Sequence, residues 1–215
     1  MMALHSGAIE ALADMVDGVL AGTKTQLRTA LLAARRAVPD AVRATEARAL
    51  CDQLPGVVSP DEIVCAYVPI GAEPGTLAMV DRLRELCARV LLPVTRTGAD
   101  GQPLPLLWGE YVPGALVSGR FGLLEPAEPV LEKEAVGLAS TVLIPALAVD
   151  RRGVRLGRGG GYYDRSLSLC RPDARLIAVV RDDEVVEELP SEPHDVRMTH
   201  ALTPRRGLVA LGDAR

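Results

Sequence analysis

Residues 141–167 read TVLIPALAVDRRGVRLGRGGGYYDRSL. Three local states follow one another here. Thr141 to Ala148 is a short apolar run, the pattern of a buried strand. It runs into Asp150, and Arg151 to Gly153 make a tight turn. Arg155-Leu156-Gly157-Arg158-Gly159-Gly160-Gly161 follows, and the spacing then predicts a helix from about Tyr162 to Cys170. Glycine lets backbone come close to a ligand and take positive φ. Successive N–H groups of such a loop form an anion-binding nest, and a helix N-terminus adds positive dipole. Arg155 and Arg158 supply planar donors suited to phosphate oxygens. A strand, a glycine turn and a helix in that order predict an α/β fold with a polyphosphate at the turn.

Working outward, the rest of the chain repeats the alternation. Lys24 to Val38 has helical spacing, with Leu27, Leu31, Ala34 and Val38 on one side and Pro39 at its end. Asp40 to Leu54 is a second helical stretch. Glu62 to Val68 reads as a buried strand, Leu77 to Ala88 as a helix opened by Gly75-Thr76, and Arg89 to Val94 as the next strand. That order implies a parallel βαβ unit. Thr95 to Pro129 is rich in Gly and Pro, with a short strand around Leu104 to Trp108. Leu176 to Val180 is a further buried strand, and Leu208 to Leu211 an edge strand. The prediction is a single-domain, three-layer, Rossmann-like α/β fold: an open, mainly parallel sheet with helices on both faces. Residues 1–23 read as an amphipathic N-terminal extension and 24–215 as the domain. Ligands of such sheets bind outside the carboxyl ends of the strands, where the loops after Val68 and Ala148 leave.

Composition narrows the function classes. The chain has 215 residues, 48% of them hydrophobic but only 3% aromatic, and a net charge of −4. That charge argues against a general nucleic-acid binder. No apolar run reaches the ~18 residues of a membrane span, and the N-terminus lacks the features of a signal peptide. A cytoplasmic protein acting as a monomer on small molecules is the expectation. The four cysteines have no metal-ligand spacing and read as small buried thiols.

The glycine run fits neither familiar phosphate loop. A Walker A loop ends in Gly-Lys-Ser/Thr, whereas Tyr162-Tyr163-Asp164 stands here. A dinucleotide fingerprint places its third glycine differently. A plain surface loop stays open on residues alone. Lys24 and Arg28 share one helix face, a like-charge pairing that an anion would turn favourable, though a solvated basic face has the same spacing.

RLGRGGGYYD, after a buried strand ending in Asp150, resembles the signature of the 5-formyltetrahydrofolate cyclo-ligases. KTQLR at Lys24 to Arg28, YVPIGAEPGT at Tyr67 to Thr76, FGLLEP at Phe121 to Pro126 and LPSEPHD at Leu189 to Asp195 match in order. The resemblance runs from about Lys24 to Thr203. It implies an ATP- and Mg²⁺-dependent enzyme that closes 5-formyltetrahydrofolate to 5,10-methenyltetrahydrofolate through a phosphorylated formyl intermediate. It implies ATP contacts at Lys24, Arg28, Arg155, Leu156, Gly157, Arg158, Gly159, Gly160, Gly161, Tyr162 and Tyr163. Folate contacts fall on Val68, Glu73, Phe121 and Tyr162, and Mg²⁺ ligands on Asp164 and Asp195. Without the resemblance, Glu73 and Asp164 read as helix-start acids, Asp195 as a loop cap, Phe121 as core and His194 as structural. Arg35 and Arg36 could meet a polyglutamate tail. The competing functions are a sugar-phosphate isomerase or coenzyme A transferase on a similar sheet, which need no ATP, and a non-catalytic folate or nucleotide binder.

Overall fold

A computed structural model describes residues 23–192 and 195–212. The expectations for the extension before Thr23 and for His194 lie outside the described residues. Thr23 itself is the N-cap of helix α1, Lys24–Ala37: its side chain accepts from the Gln26 N–H while Gln26 reaches back to the Thr23 N–H, a capping box.

The main sheet has seven strands. Strands β1 (Ile63–Cys65), β2 (Arg89–Val94), β6 (Thr141–Pro145), β9 (Arg175–Val179) and β11 (His200–Thr203) run parallel. Two antiparallel strands close the edges, β3 (Leu107–Glu110) beside β2 and β12 (Gly207–Ala210) beside β11. The order is β12-β11-β9-β6-β1-β2-β3. Alternate side chains of the parallel strands enter opposite cores, as the period of two requires. Val64, Val90, Leu92, Leu143, Ile177, Val179 and Leu202 pack with Leu50 and Leu54 and with Met79, Val80 and Leu83. Those partners belong to helix α2 (Asp40–Gln53) with its following turn, and to helix α3 (Leu77–Leu86). Cys65, Leu91, Val142, Ile144, Leu176, Ala178 and Ala201 face the other way, onto Trp108, Val136 and Leu167. The three layers and the mainly parallel sheet are as expected.

Several boundaries differ from the sequence reading, each for a local reason. The run Thr141 to Ala148 is not one strand. Pro145 has no N–H to donate, so the ladder of β6 ends there; β7 (Ala148–Asp150) lies in a separate small sheet, parallel to β10 (Val185–Val186) and antiparallel to β8 (Arg155–Leu156). The glycine loop therefore leaves a hairpin rather than the main sheet. Helix α1 packs on this small sheet, with Leu27 and Leu31 against Leu147, Ala148, Val154, Leu156, Val186 and Leu189. Helix α4 is Tyr162–Ser166, followed by a 3₁₀ turn over Leu167–Leu169. There Ser166 Oγ bonds back to the Tyr162 carbonyl and accepts the Leu106 N–H, a side-chain contact that competes with helix continuation. The sequence carries no signal for strand β11, because His200-Ala201-Leu202-Thr203 is too short and mixed to show a period. Strands β4 (Leu116–Ser118) and β5 (Leu124–Pro126) form a hairpin within the Gly- and Pro-rich middle. No helix among the described residues is long and apolar enough to cross a membrane.

The strand order reverses between β1 and β6: the chain moves from β1 outward to β2, then returns to β6 and builds toward β9 and β11. A crevice forms outside the carboxyl ends at such a point.

The turn from β7 to β8 depends on Gly153. Its φ is 86°, and a Cβ there would lie 2.3 Å from the Met198 carbonyl oxygen. Gly153→Ala is expected to cost about 2 kcal/mol or more, read as a lowered urea midpoint with an unchanged slope. An unaltered midpoint would mean the turn relaxes freely.

Candidate functional site

The crevice at the switch point is a pocket. Tyr67, Val68, Ile70 and Glu73 enter it from the segment after β1. Pro145, Ala146 and Leu147 come from the corner after β6, and Pro93 and Thr95 from the end of β2. Phe121, Leu123 and Leu124 approach from the β4–β5 hairpin. Arg155, residues 157–161 and Tyr162 to Asp164 complete the wall, together with Arg35 of α1.

Asp150 shapes the hairpin that carries the glycine loop. Its carboxylate is fully buried and accepts the N–H groups of Arg152 (2.9 Å), Val154 (2.8 Å) and Leu189 (3.1 Å). Beyond β8, Gly159 and Gly161 have φ of 91° and 73°. Gly161 is the left-handed N-cap of α4. With only five residues, α4 adds less dipole than the longer helix expected from sequence. The anion chemistry of the loop rests on its backbone N–H groups and its arginines.

Those arginines are paired with acids. Arg158 Nε lies 3.1 Å from Glu73 Oε1. Arg155 Nη2 donates to Asp164 Oδ1, and its guanidinium sits 5.7 Å from the centre of the Tyr163 ring. Arg28 is outside the pocket wall: its Nε donates to the Gly157 carbonyl (3.0 Å), and its guanidinium lies against Gly159. Lys24, also outside the wall, donates to Glu192 (3.0 Å) and Asp195 (3.1 Å). Helix α1 thus braces the loop from behind.

Glu73 is half of a folded-in contact. Its side chain is 7% exposed, and Oε2 accepts the Ile70 N–H. Burial pushes its carboxyl pKa up, while the Ile70 N–H, Arg158 and Arg35 pull against that. The phenols of Tyr67 and Tyr163 are pushed up by burial too, so both stay protonated donors. Burial also raises Cys87 and Cys170 to about 11. No cysteine lines the pocket, so no thiolate nucleophile sits there.

Val68, Glu73, Phe121, Arg155, Gly157 to Gly161, Tyr162, Tyr163 and Asp164 share one wall. Leu156 does not: it is 2% exposed, belongs to the α1 core, and its carbonyl accepts the Leu147 N–H. Asp195 is held at Lys24 and at the Glu192 N–H, not in the pocket wall. Phe121 is not core. It is 69% exposed with φ of 58°, at the first central position of a hairpin turn whose second is Gly122; both residues have positive φ, as a type I′ turn requires. Arg35 is not available to a tail. It is 2% exposed and bidentate to Glu184. Arg36 faces solvent. Arg35 and Tyr67 are pocket residues that sequence reasoning did not assign, although Arg35 follows Arg28 by seven on one helix face.

Residues 21–204 match the model of a family described as the 5-formyltetrahydrofolate cyclo-ligase family. A 5-formyltetrahydrofolate cyclo-ligase of Mycolicibacterium smegmatis is 60% identical over 88% of this chain and 97% of its own length. The enzyme of that name from Escherichia coli K12 is 30% identical over 66% of this chain and 78% of its own. The structure of Aquifex aeolicus 5,10-methenyltetrahydrofolate synthetase superposes with a TM-score of 0.72, covering 89% of this chain and 94% of that one, at 25% identity.

The raised pKa of Glu73 has a consequence for stability. A carboxyl that binds its proton more tightly when folded stabilises the fold most below its ordinary value of 4.5, and that contribution is lost as pH rises through the raised value. Wild-type stability relative to Glu73→Gln is therefore expected to fall between about pH 4 and neutrality, measured as urea midpoints across that range. A flat or rising difference would mean that the Arg158 bridge outweighs burial.

Proposed function

The chain belongs to the 5-formyltetrahydrofolate cyclo-ligase family, and from that premise we propose that it uses ATP and Mg²⁺ to close 5-formyltetrahydrofolate to 5,10-methenyltetrahydrofolate, releasing ADP and phosphate. The observation that carries this reading is one pocket in which a glycine- and arginine-rich loop meets a buried carboxylate, Arg158 on Glu73, beside apolar wall residues. The loop suits a triphosphate, and the carboxylate suits the N–H groups of an amino-pyrimidinone ring. A sugar-phosphate isomerase or coenzyme A transferase would need neither a triphosphate nor that ring.

The formyl oxygen attacks the γ-phosphorus of ATP; the bond to the β-phosphate oxygen breaks and ADP leaves. The second folate nitrogen then attacks the activated carbon and gives up its proton, and the carbon–oxygen bond breaks with loss of phosphate, which carries that proton away. Phosphoryl transfer of this kind asks for positioning and charge neutralisation more than covalent help. Arg155 and Arg158 exchange Asp164 and Glu73 for phosphate oxygens. The N–H groups of residues 157–161 cradle the chain of phosphates, with Lys24 and Arg28 adding positive charge from behind. Glu73, released by Arg158, accepts from the folate ring. Val68 and Phe121 bound the ring's apolar faces, and Tyr162 and Tyr163 lie where the two ligands meet.

Asp164 fits a Mg²⁺ site as a single carboxylate, since it lines the pocket and is 41% exposed. Among the described residues no three His, Cys, Asp or Glu side chains converge, and Asp195 would join only by leaving Lys24. Mg²⁺ commonly takes one or two carboxylates with phosphates and waters, and it would supply further positive charge at the phosphates. A working monomer and a cytoplasmic setting are part of the same reading.

Purified protein mixed with 5-formyltetrahydrofolate, ATP and Mg²⁺ should form the methenyl product, followed by its absorbance, only when all three are present. Arg158→Ala should lower kcat/KM at least about 100-fold, and Asp164→Ala should raise the Mg²⁺ requirement. Folded protein that binds ATP but yields no product would sink the proposal.

A further inference from the structure

Arg35 is a buried guanidinium in the wall of the pocket that the proposed reaction leaves without a role. It projects from α1 and is 2% exposed. Nε donates to Glu184 Oε1 (2.6 Å), and Nη2 donates to both Glu184 Oε2 (2.7 Å) and the Ala146 carbonyl (2.6 Å). Those bonds hold the plane of the group: Glu184 is not a wall residue, whereas Arg35 and Ala146 are, so the ion pair anchors the guanidinium from outside the pocket lining. Nη1 donates to no protein atom among the described residues. A guanidinium held in place by two of its nitrogens, with the third N–H₂ group open beside a ligand cavity, is a donor that a ligand acceptor can take over from water. Its neighbours say what kind. The charge of Arg35 acts on Glu73 and Tyr67, so it shares the end of the pocket where a carboxylate waits for N–H donors.

We propose that Arg35 is a substrate-binding residue whose Nη1 donates to the ring carbonyl oxygen of the folate pyrimidinone while Glu73 accepts from the adjacent ring N–H groups. The inference rests on the folate reading of this site. An amino-pyrimidinone presents N–H donors and one carbonyl side by side, and an acid next to an immobilised guanidinium is complementary to that pattern. The Glu184 pair fixes the guanidinium plane in advance, so little side-chain freedom is lost on binding. Arg35 would then read the oxo group, the one feature that separates a 4-oxo pteridine from its 4-amino counterpart on that edge besides the ring N–H that Glu73 reads.

The test is calorimetric binding of a 4-oxo tetrahydropteridine and its 4-amino analogue, with ATP affinity as a control for the fold. Wild type should prefer the 4-oxo compound. The double variant Arg35→Met, Glu184→Leu replaces a buried ion pair by apolar groups of similar volume, a change that folds tolerate. It should keep its ATP affinity and lose about tenfold or more of that preference. Glu184→Gln keeps an acceptor for Arg35 and should keep more of the preference than the double variant. No 4-oxo preference in wild type, an unchanged preference in the double variant, or its equal loss in Glu184→Gln would each overturn the assignment. If wild type binds neither pteridine, the folate reading of the pocket fails with it. If it binds both, and the double variant still discriminates, only the role of Arg35 fails.

Discussion

A buried ion pair fixes where the parts of this protein meet. Arg35 and Glu184 are 2% and 3% exposed, and their bidentate contact joins α1 to the turn after β9. The same guanidinium holds the Ala146 carbonyl at the corner where the chain leaves the main sheet for the small one. Glu184 also accepts the Arg181 N–H (2.8 Å). Three segments distant in sequence thus converge on one charge pair. Removing one partner would strand the other in a medium that cannot solvate it, at about 3–5 kcal/mol. The pair also explains why α1 lies on the small sheet: a helix that carries Leu27, Leu31 and Arg35 on one face needs an apolar neighbour with an acid at its end.

From that junction the glycine loop is positioned in steps. Asp150 gathers three N–H groups, closing the turn after β7 and tying it to Leu189. Gly153 lets the turn pass beneath the Met198 carbonyl, whose own N–H donates to the Gly153 oxygen (2.7 Å). Arg28 then reaches the loop at Gly157. Each contact is local, yet together they bring a loop from one sheet over the carboxyl edge of another.

In and around the pocket, charges of opposite sign pair with one another. Arg158 sits on Glu73, Arg155 on Asp164, and Lys24 on Glu192 and Asp195. Cations suited to phosphate and acids suited to ring N–H groups or a metal ion satisfy one another where, under the proposed reaction, ligands would take their places. Partly buried charges of one sign, left unpaired, would cost more than the exposed pairs seen on most surfaces.

The sequence alone determined the α/β class, the mainly parallel character of the sheet and the residues of the glycine loop. These rest on short-range signals: apolar runs of strand length, 3.6-residue periodicity, and glycines where side chains would clash. It also supplied Glu73, Val68 and Phe121, through resemblance rather than spacing. What it could not show depends on contacts between distant segments. Pro145 ends a ladder only because β9 is its partner. Leu156 looks like part of a ligand loop until Leu27 and Leu31 cover it. Arg35 looks like a surface base on a basic helix until Glu184, 149 positions later, removes it from water. A guanidinium's partners are chosen by three-dimensional proximity, and no periodicity along the chain encodes a pairing across such a separation.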